Sequence, residues 1–169
     1  LSRCRSLADS FGAPIHAVAT SAVREALNAE LLLGRARDEA GVEVEVISGH
    51  EEARLIQLGV LQALPVYDRP LALVDIGGGS TEILYGFRGS VGYARSMKLG
   101  SLRMTRAFFP GGVVEGDAVA RCRRHIAVAL APIHHDVAVL RHDVAVATSG
   151  TAETLAAMAI ARRGDPVPQ

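Results

Sequence analysis

The stretch Ala72-Leu73-Val74-Asp75-Ile76-Gly77-Gly78-Gly79-Ser80-Thr81-Glu82-Ile83 governs how the rest of the chain is read. An apolar, strand-like run enters an acid, three glycines, two hydroxyls and a second acid, and another apolar run leaves it. Consecutive glycines admit left-handed backbone and bring bare N–H groups close to a ligand. A carboxylate at each end suits a phosphate held together with a divalent cation, whereas a plain glycine hairpin needs neither acid. Asp75 and Glu82 are the candidate cation ligands, directly or through water. No Lys-Ser/Thr pair follows the glycines, so the loop is not a Walker A element.

On either side of this loop the chain reads as strands. Leu71–Ile76, Thr81–Phe87 and Val91–Lys98 are three strands joined by glycine-bearing turns, which implies an antiparallel meander. Upstream, Leu1–Phe11 has one apolar helical face and stops at Gly12-Ala13-Pro14. Ile15–Ala19 reads as a short strand, and one of Thr20 and Ser21 is expected to cap a helical run over Ala22–Leu27. A second helix is expected over Ala29–Glu39, an alternating strand over Val42–Ile47, and a helix over Glu51–Leu64. Strand, helix, strand, helix with short connections predicts parallel α/β pairing. The proline-bearing Pro65–Pro70 stretch is the expected boundary, giving lobes over 1–66 and 67–169. Downstream, helices are expected over Ser101–Phe109, about Gly116–Ile133 with Pro132 near its end, and Ala152–Ala161. A strand is expected over His142–Ala147, and Gly164–Gln169 reads as a frayed tail.

Basic and acidic residues balance, 18 against 18, which argues against a general nucleic-acid binder. With 49% hydrophobic residues the chain can bury a core. Cys4 and Cys122 lack a CxxC or CxxH partner, so a reduced, cytoplasmic protein is the simpler expectation. No apolar run reaches membrane-spanning length. The chain opens within a helical pattern and without methionine, and it reads as a piece of a longer protein.

Four turns share a pattern of strand end followed by small polar residues: Thr20-Ser21, Ser48-Gly49, Asp75–Thr81 and Ser149-Gly150-Thr151. Ligands of open α/β sheets sit outside the carboxyl ends of the strands, near helix N-termini, so these turns are expected to line an interlobe cleft. Either Glu51 or Glu52, at the Ser48-Gly49 turn, has the chemistry of a general base on water. Arg24 follows Thr20-Ser21 and suits a phosphate clamp, and Lys98 ends a strand with the same potential. The adjacent His134 and His135 diverge on a helix and do not form a metal pair. With no Gly-x-Ser-x-Gly in the chain, direct water attack fits better than a covalent serine.

Taken in order, the motifs resemble the exopolyphosphatase/guanosine pentaphosphate phosphatase (Ppx/GppA) family of the actin-like superfamily. They are Ala19-Thr20-Ser21-Ala22-x-Arg24-x-Ala26-x-Asn28, Val46-Ile47-Ser48-Gly49-x-Glu51-Glu52-Ala53-Arg54-Leu55 and Gly59-Val60. Asp75-Ile76-Gly77-Gly78-Gly79-Ser80-Thr81-Glu82, Leu99-Gly100, Phe109-Pro110-Gly111-Gly112 and Ser149-Gly150-Thr151 complete the set. The resemblance implies an α/β actin-like, ribonuclease H-type fold, with part of a first lobe, most of a second, and mixed sheets flanked by helices. It also implies release of the terminal phosphate from polyphosphate or pppGpp with Mg²⁺ or another divalent cation. Glu52 would then be the general base and Arg24 a phosphate grip, with Asp75 and Glu82 serving the metal or the water. Gly77, Gly78, Gly79, Ser80 and Thr81 would supply phosphate-binding amides, with Gly150 and Thr151 on the opposite rim.

The family opens with a hairpin carrying an Asp-x-Gly-Ser-Asn-Ser type loop, and this chain contains no such stretch. The expectation is therefore a partial site, weak or inactive alone, with an unpaired sheet edge that invites association. Expected partners are polyphosphate or guanosine penta- or tetraphosphate, and a homodimer, since the family tends to dimerise. Two other readings stand beside the hydrolase: a polyphosphate or (p)ppGpp sensor without turnover, and an actin-like small-molecule kinase.

Overall fold

The computed structural model of the chain describes residues 1–164. These divide into two compact units that part between Glu52 and Ala53, inside a continuous helix.

The first unit carries α1 (Ser2–Ser10), β1 (Ala17–Ala19), α2 (Ser21–Arg24), α3 (Ala29–Ala40), β2 (Val44–Val46) and the first turn of α4 (Gly49–Ala63). β1 and β2 pair in parallel, Val18 opposite Glu45, as the strand–helix rhythm predicts. Gly41 ends α3 in the left-handed conformation (φ 61°), where glycine carries no Cβ penalty. The expected Thr20/Ser21 cap takes another form. Thr20 holds the N-cap position of α2 without a side-chain cap bond, and Ser21 Oγ instead donates to Glu25 Oε1 at 2.9 Å.

The second unit is built on a four-stranded mixed sheet in the order β5-β4-β3-β6. β3 (Leu71–Ile76), β4 (Thr81–Phe87) and β5 (Ser90–Met97) form the expected antiparallel meander, and β6 (Val144–Thr148) joins β3 in parallel. Side chains alternate along a strand, so Leu71, Leu73, Leu84 and Val146 share one face. They meet Ala53 and Val60 of α4 in the main core, where Leu71, Leu73 and Leu84 are at most 1% exposed. A second core of Leu99, Met104 and Cys122 joins α5 (Ser101–Phe108) to α6 (Ala118–Val137).

Several helix bounds differ from expectation: α2 ends at Arg24 rather than Leu27, and α4 runs from Gly49 rather than Glu51. α6 starts two residues later and runs through Pro132 to Val137; a proline removes one ladder bond, and so near the end the helix continues past it. α7 (Ser149–Arg163) starts three residues earlier than predicted, which moves Gly150 and Thr151 from a loop into its first turn. The expected tail lies, beyond Gly164, outside the described residues. Among the described residues no helix is long and apolar enough to cross a membrane.

Candidate active site

The glycine loop is a hairpin tip closed by the Gly77 amide donating to Ser80 O at 3.0 Å. α5 begins against it. The amides of Ser101, Arg103 and Gly100 donate to the carbonyls of Gly77, Gly78 and Gly79 at 2.9, 3.1 and 3.3 Å, and Arg103 Nε adds a bond to Gly79 O at 2.8 Å. The loop thus satisfies N–H groups that a helix start leaves orphaned. The same bonds orient the loop. In a planar trans peptide the C=O and the following N–H point in opposite directions. Carbonyls 77, 78 and 79 face α5, so the amides of Gly78, Gly79 and Ser80 face away from it, without the left-handed φ that the run of glycines admits. Among the described residues none of these three amides donates a turn or capping bond. A Cβ on Gly100 would lie 2.3 Å from Gly78 C and O, which explains the Leu99-Gly100 pair: only glycine lets α5 come this close.

Register brings the two acids together. Asp75 and Glu82 are direct cross-strand partners, Ser96 lies opposite Glu82, and Thr148 lies opposite Asp75. Ser96, Glu82, Asp75 and Thr148 therefore form a polar row across all four strands, on the face that carries the main core. Ser96 Oγ donates to Glu82 Oε1 at 2.6 Å, and Thr148 Oγ1 donates to Asp75 Oδ2 at 2.5 Å. Glu82 is only 1% exposed, whereas Asp75 is half-buried. Thr81, at 8% exposure, turns its hydroxyl inward to Leu99 O at 3.2 Å, and Ser80 is buried. The all-oxygen row suits a hard cation that keeps part of its water shell, with Asp75 as the accessible ligand. Among the described residues no group of three or more His, Cys, Asp or Glu is placed to hold a metal ion, so a cation here depends on this two-carboxylate pair.

An open pocket of about 460 Å³ lies beside the loop, lined by Gly77, Gly78, Ser101 and Leu102 and by Ser149, Gly150, Thr151 and Thr154 of α7. It brings the expected Gly150-Thr151 rim to the glycine loop. Ser149 enters α7 with φ 76°, a conformation that non-glycine residues seldom adopt.

In the first unit, Ser48 separates the neighbouring acids. Ser48 Oγ accepts the Glu51 amide at 3.1 Å, and Ser48-x-x-Glu51 has the spacing of a capping box. Glu52 instead faces Arg24, whose Nη1 is 3.5 Å from Glu52 Oε2 and donates to Ile47 O at 2.7 Å. The candidate base and the candidate phosphate grip are thus neighbours, held at the end of β2. Lys98 engages other groups through contacts of its own.

The profile of the Ppx/GppA phosphatase family matches residues 1–164. The chain belongs to that family. It is 31% identical over 153 residues to a guanosine-5'-triphosphate,3'-diphosphate pyrophosphatase of Photobacterium profundum, covering 90% of this chain and 31% of the relative. It is 39% identical over 147 residues to exopolyphosphatase 1 of Mycobacterium tuberculosis, covering 85% and 42% respectively. A crystal structure of an exopolyphosphatase from Cytophaga hutchinsonii superposes with a TM-score of 0.84 at 31% identity, over 98% of this chain and 54% of that one. The chain thus spans less than half the length of these curated relatives and about half of the solved structure. With this membership, the α/β fold with a mixed sheet flanked by helices stands as expected.

In this Ppx/GppA chain the loop, both acids and Gly150-Thr151 stand out in the sequence, whereas Ser96 and Thr148 do not. Their signal was strand register, a polar residue at the same height on each outer strand, which appears only once the sheet is paired.

Proposed function

We propose that this chain carries working parts of a phosphohydrolase that releases terminal orthophosphate from inorganic polyphosphate, pppGpp or both. The observation that carries the reading is the orientation of the glycine loop: α5 takes its carbonyls, and the amides of Gly78, Gly79 and Ser80 point away from the helix without a turn or capping bond of their own, which supports their use on an anion. In this reading residues 1–66 belong to a first actin-like lobe and 67–169 to the second.

The roles follow from the groups. The amides of Gly78, Gly79 and Ser80, with those of Gly150 and Thr151, hold phosphate oxygens in a fixed orientation, while the Gly77 amide closes the hairpin on Ser80 O and Thr81 pairs in β4. Phosphoryl transfer needs such positioning and charge neutralisation above all. Glu52 takes a proton from the attacking water. Arg24, 3.5 Å from Glu52, supplies a fork-shaped donor for phosphoryl oxygens. Asp75, steadied by Thr148, and Glu82, steadied by Ser96, would hold a divalent cation such as Mg²⁺, Glu82 through water. When bound, that cation supplies charge neutralisation for the phosphate oxygens. A cytoplasmic location and a homodimer belong to the same reading.

The test is phosphate release from polyphosphate and from pppGpp in Mg²⁺, with full-length Mycobacterium tuberculosis exopolyphosphatase 1 as the reference rate. The chain should release orthophosphate from chain ends, more slowly than the reference. Glu52→Gln should lower turnover about 100-fold or more, the range for a lost general base, and leave tripolyphosphate binding intact. Turnover unchanged in that variant removes Glu52 from its role. Tight binding by the parent chain with no turnover at all favours a sensor.

A further inference from the structure

We propose that Thr148 is a positioning residue: its hydroxyl, bonded to Asp75, holds Ser149 in the left-handed conformation that turns the first amides of α7 into the glycine-loop pocket. The inference rests on the reading of that pocket as a phosphate site.

Asp75 and Thr148 are the last partners in the β3–β6 ladder, so sheet pairing ends where the chain must turn. Ser149 makes the turn with φ 76°. A side chain held in this region stores strain and stays there only where its surroundings over-determine it. Thr148 is the N-cap of α7, extended at φ −126° and ψ 171°, and makes no side-chain cap bond. A threonine there ordinarily accepts an amide of the first turn. Here its hydroxyl instead donates to Asp75 Oδ2 at 2.5 Å. That bond fixes the residue before the strained turn to the end of β3, and first-turn amides of α7 lie without a side-chain cap beside Gly77 and Gly78. Asp75 thereby couples the acid row to the α7 rim.

The hinge is separable from simple orientation of Asp75, because glycine adopts φ near 76° without strain. Tripolyphosphate affinity is measured calorimetrically for the chain and for T148V, T148S, S149G and T148V/S149G. Losing a hydrogen bond to a charged group should weaken binding about tenfold in T148V. T148S should match the parent. In the S149G background the same valine should cost no more than about twofold, since the turn no longer needs the pin. Without ligand, ¹⁵N order parameters at residues 149–151 should fall from about 0.85 to below about 0.6 in T148V and stay high in T148S.

Equal loss in both backgrounds, no loss in either, or misfolding of the valine variant in both overturns the inference. Folding of T148V only in the S149G background supports it. If the parent chain fails to bind tripolyphosphate, the phosphate reading falls instead, and the ligand-free order parameters alone decide the hinge.

Discussion

Adding one methyl group at Gly100 should uncouple α5 from the glycine loop. In Gly100→Ala the new carbon would lie 2.3 Å from Gly78 C and O and 2.4 Å from Gly79 C. All three are backbone atoms, so no side chain can swing aside and the helix or the loop must move. Overpacking of this kind costs about 1–3 kcal/mol. Moving α5 also stretches the three amide bonds it donates to carbonyls 77, 78 and 79, each worth about 0.5–1.5 kcal/mol net. With those bonds only partly lost, the total is about 3 kcal/mol. At a urea slope of about 2 kcal/mol/M, that lowers the unfolding midpoint by about 1.5 M. The amides of Gly78, Gly79 and Ser80 lose their common direction as well, so tripolyphosphate affinity should fall in the fraction that folds. Gly59→Ala is the control. A Cβ at Gly59, within α4, meets nothing within 4 Å. That variant should gain about 0.5–1 kcal/mol from helix propensity. The same change of atoms thus has opposite signs at the two sites. A Gly100→Ala midpoint within about 0.3 M of the parent, with affinity kept, would refute the close-approach reasoning.

Two further outcomes are expected. Ser96→Ala removes the 2.6 Å donor from Glu82, which is 1% exposed, and should cost about 1.5–3 kcal/mol in urea unfolding; Ser96→Thr, which keeps the hydroxyl, should recover part of it. Burial raises the Tyr93 phenol above its ordinary value, with Asp136, its 3.2 Å acceptor, adding to the effect against Arg95. The folded state therefore holds that proton more tightly than the unfolded chain. The associated stability is present below the ordinary phenol range of about 10 and is lost as pH rises through the elevated folded value. Tyr93→Phe should flatten that alkaline fall in urea midpoints, and an unchanged fall assigns it to other groups.

The parts legible in the sequence were those set by short-range chemistry. β3 and β4 carry the bounds their apolar runs predict, because three glycines and two hydroxyls end one strand and start the next. The start of α7 was not legible, since Ser149 takes a left-handed φ that its own side chain disfavours, just where the β3–β6 ladder ends. The burial of Glu82 was hidden for a similar reason: an acid just past a glycine loop reads as exposed until β3 and β5 flank it. The choice between Glu51 and Glu52 lay within reach. Ser48-x-x-Glu51 already marks a capping box, which leaves Glu52 for Arg24.

The Asp75–Glu82 pairing also bears on how the sheet finds its partners during folding. A slip of one residue between β3 and β4 would carry Glu82 to the opposite face and turn Leu84, 0% exposed in the native sheet, out of the main core. A buried carboxylate without its donor is costly, and so is a core leucine in water, so both errors penalise the same misregistered hairpin. The acids beside the loop thus act as a registration mark for the meander. A variant with both changed to apolar residues would lose that check and gain a uniformly greasy strand pair, the kind of hairpin that pairs out of step and aggregates.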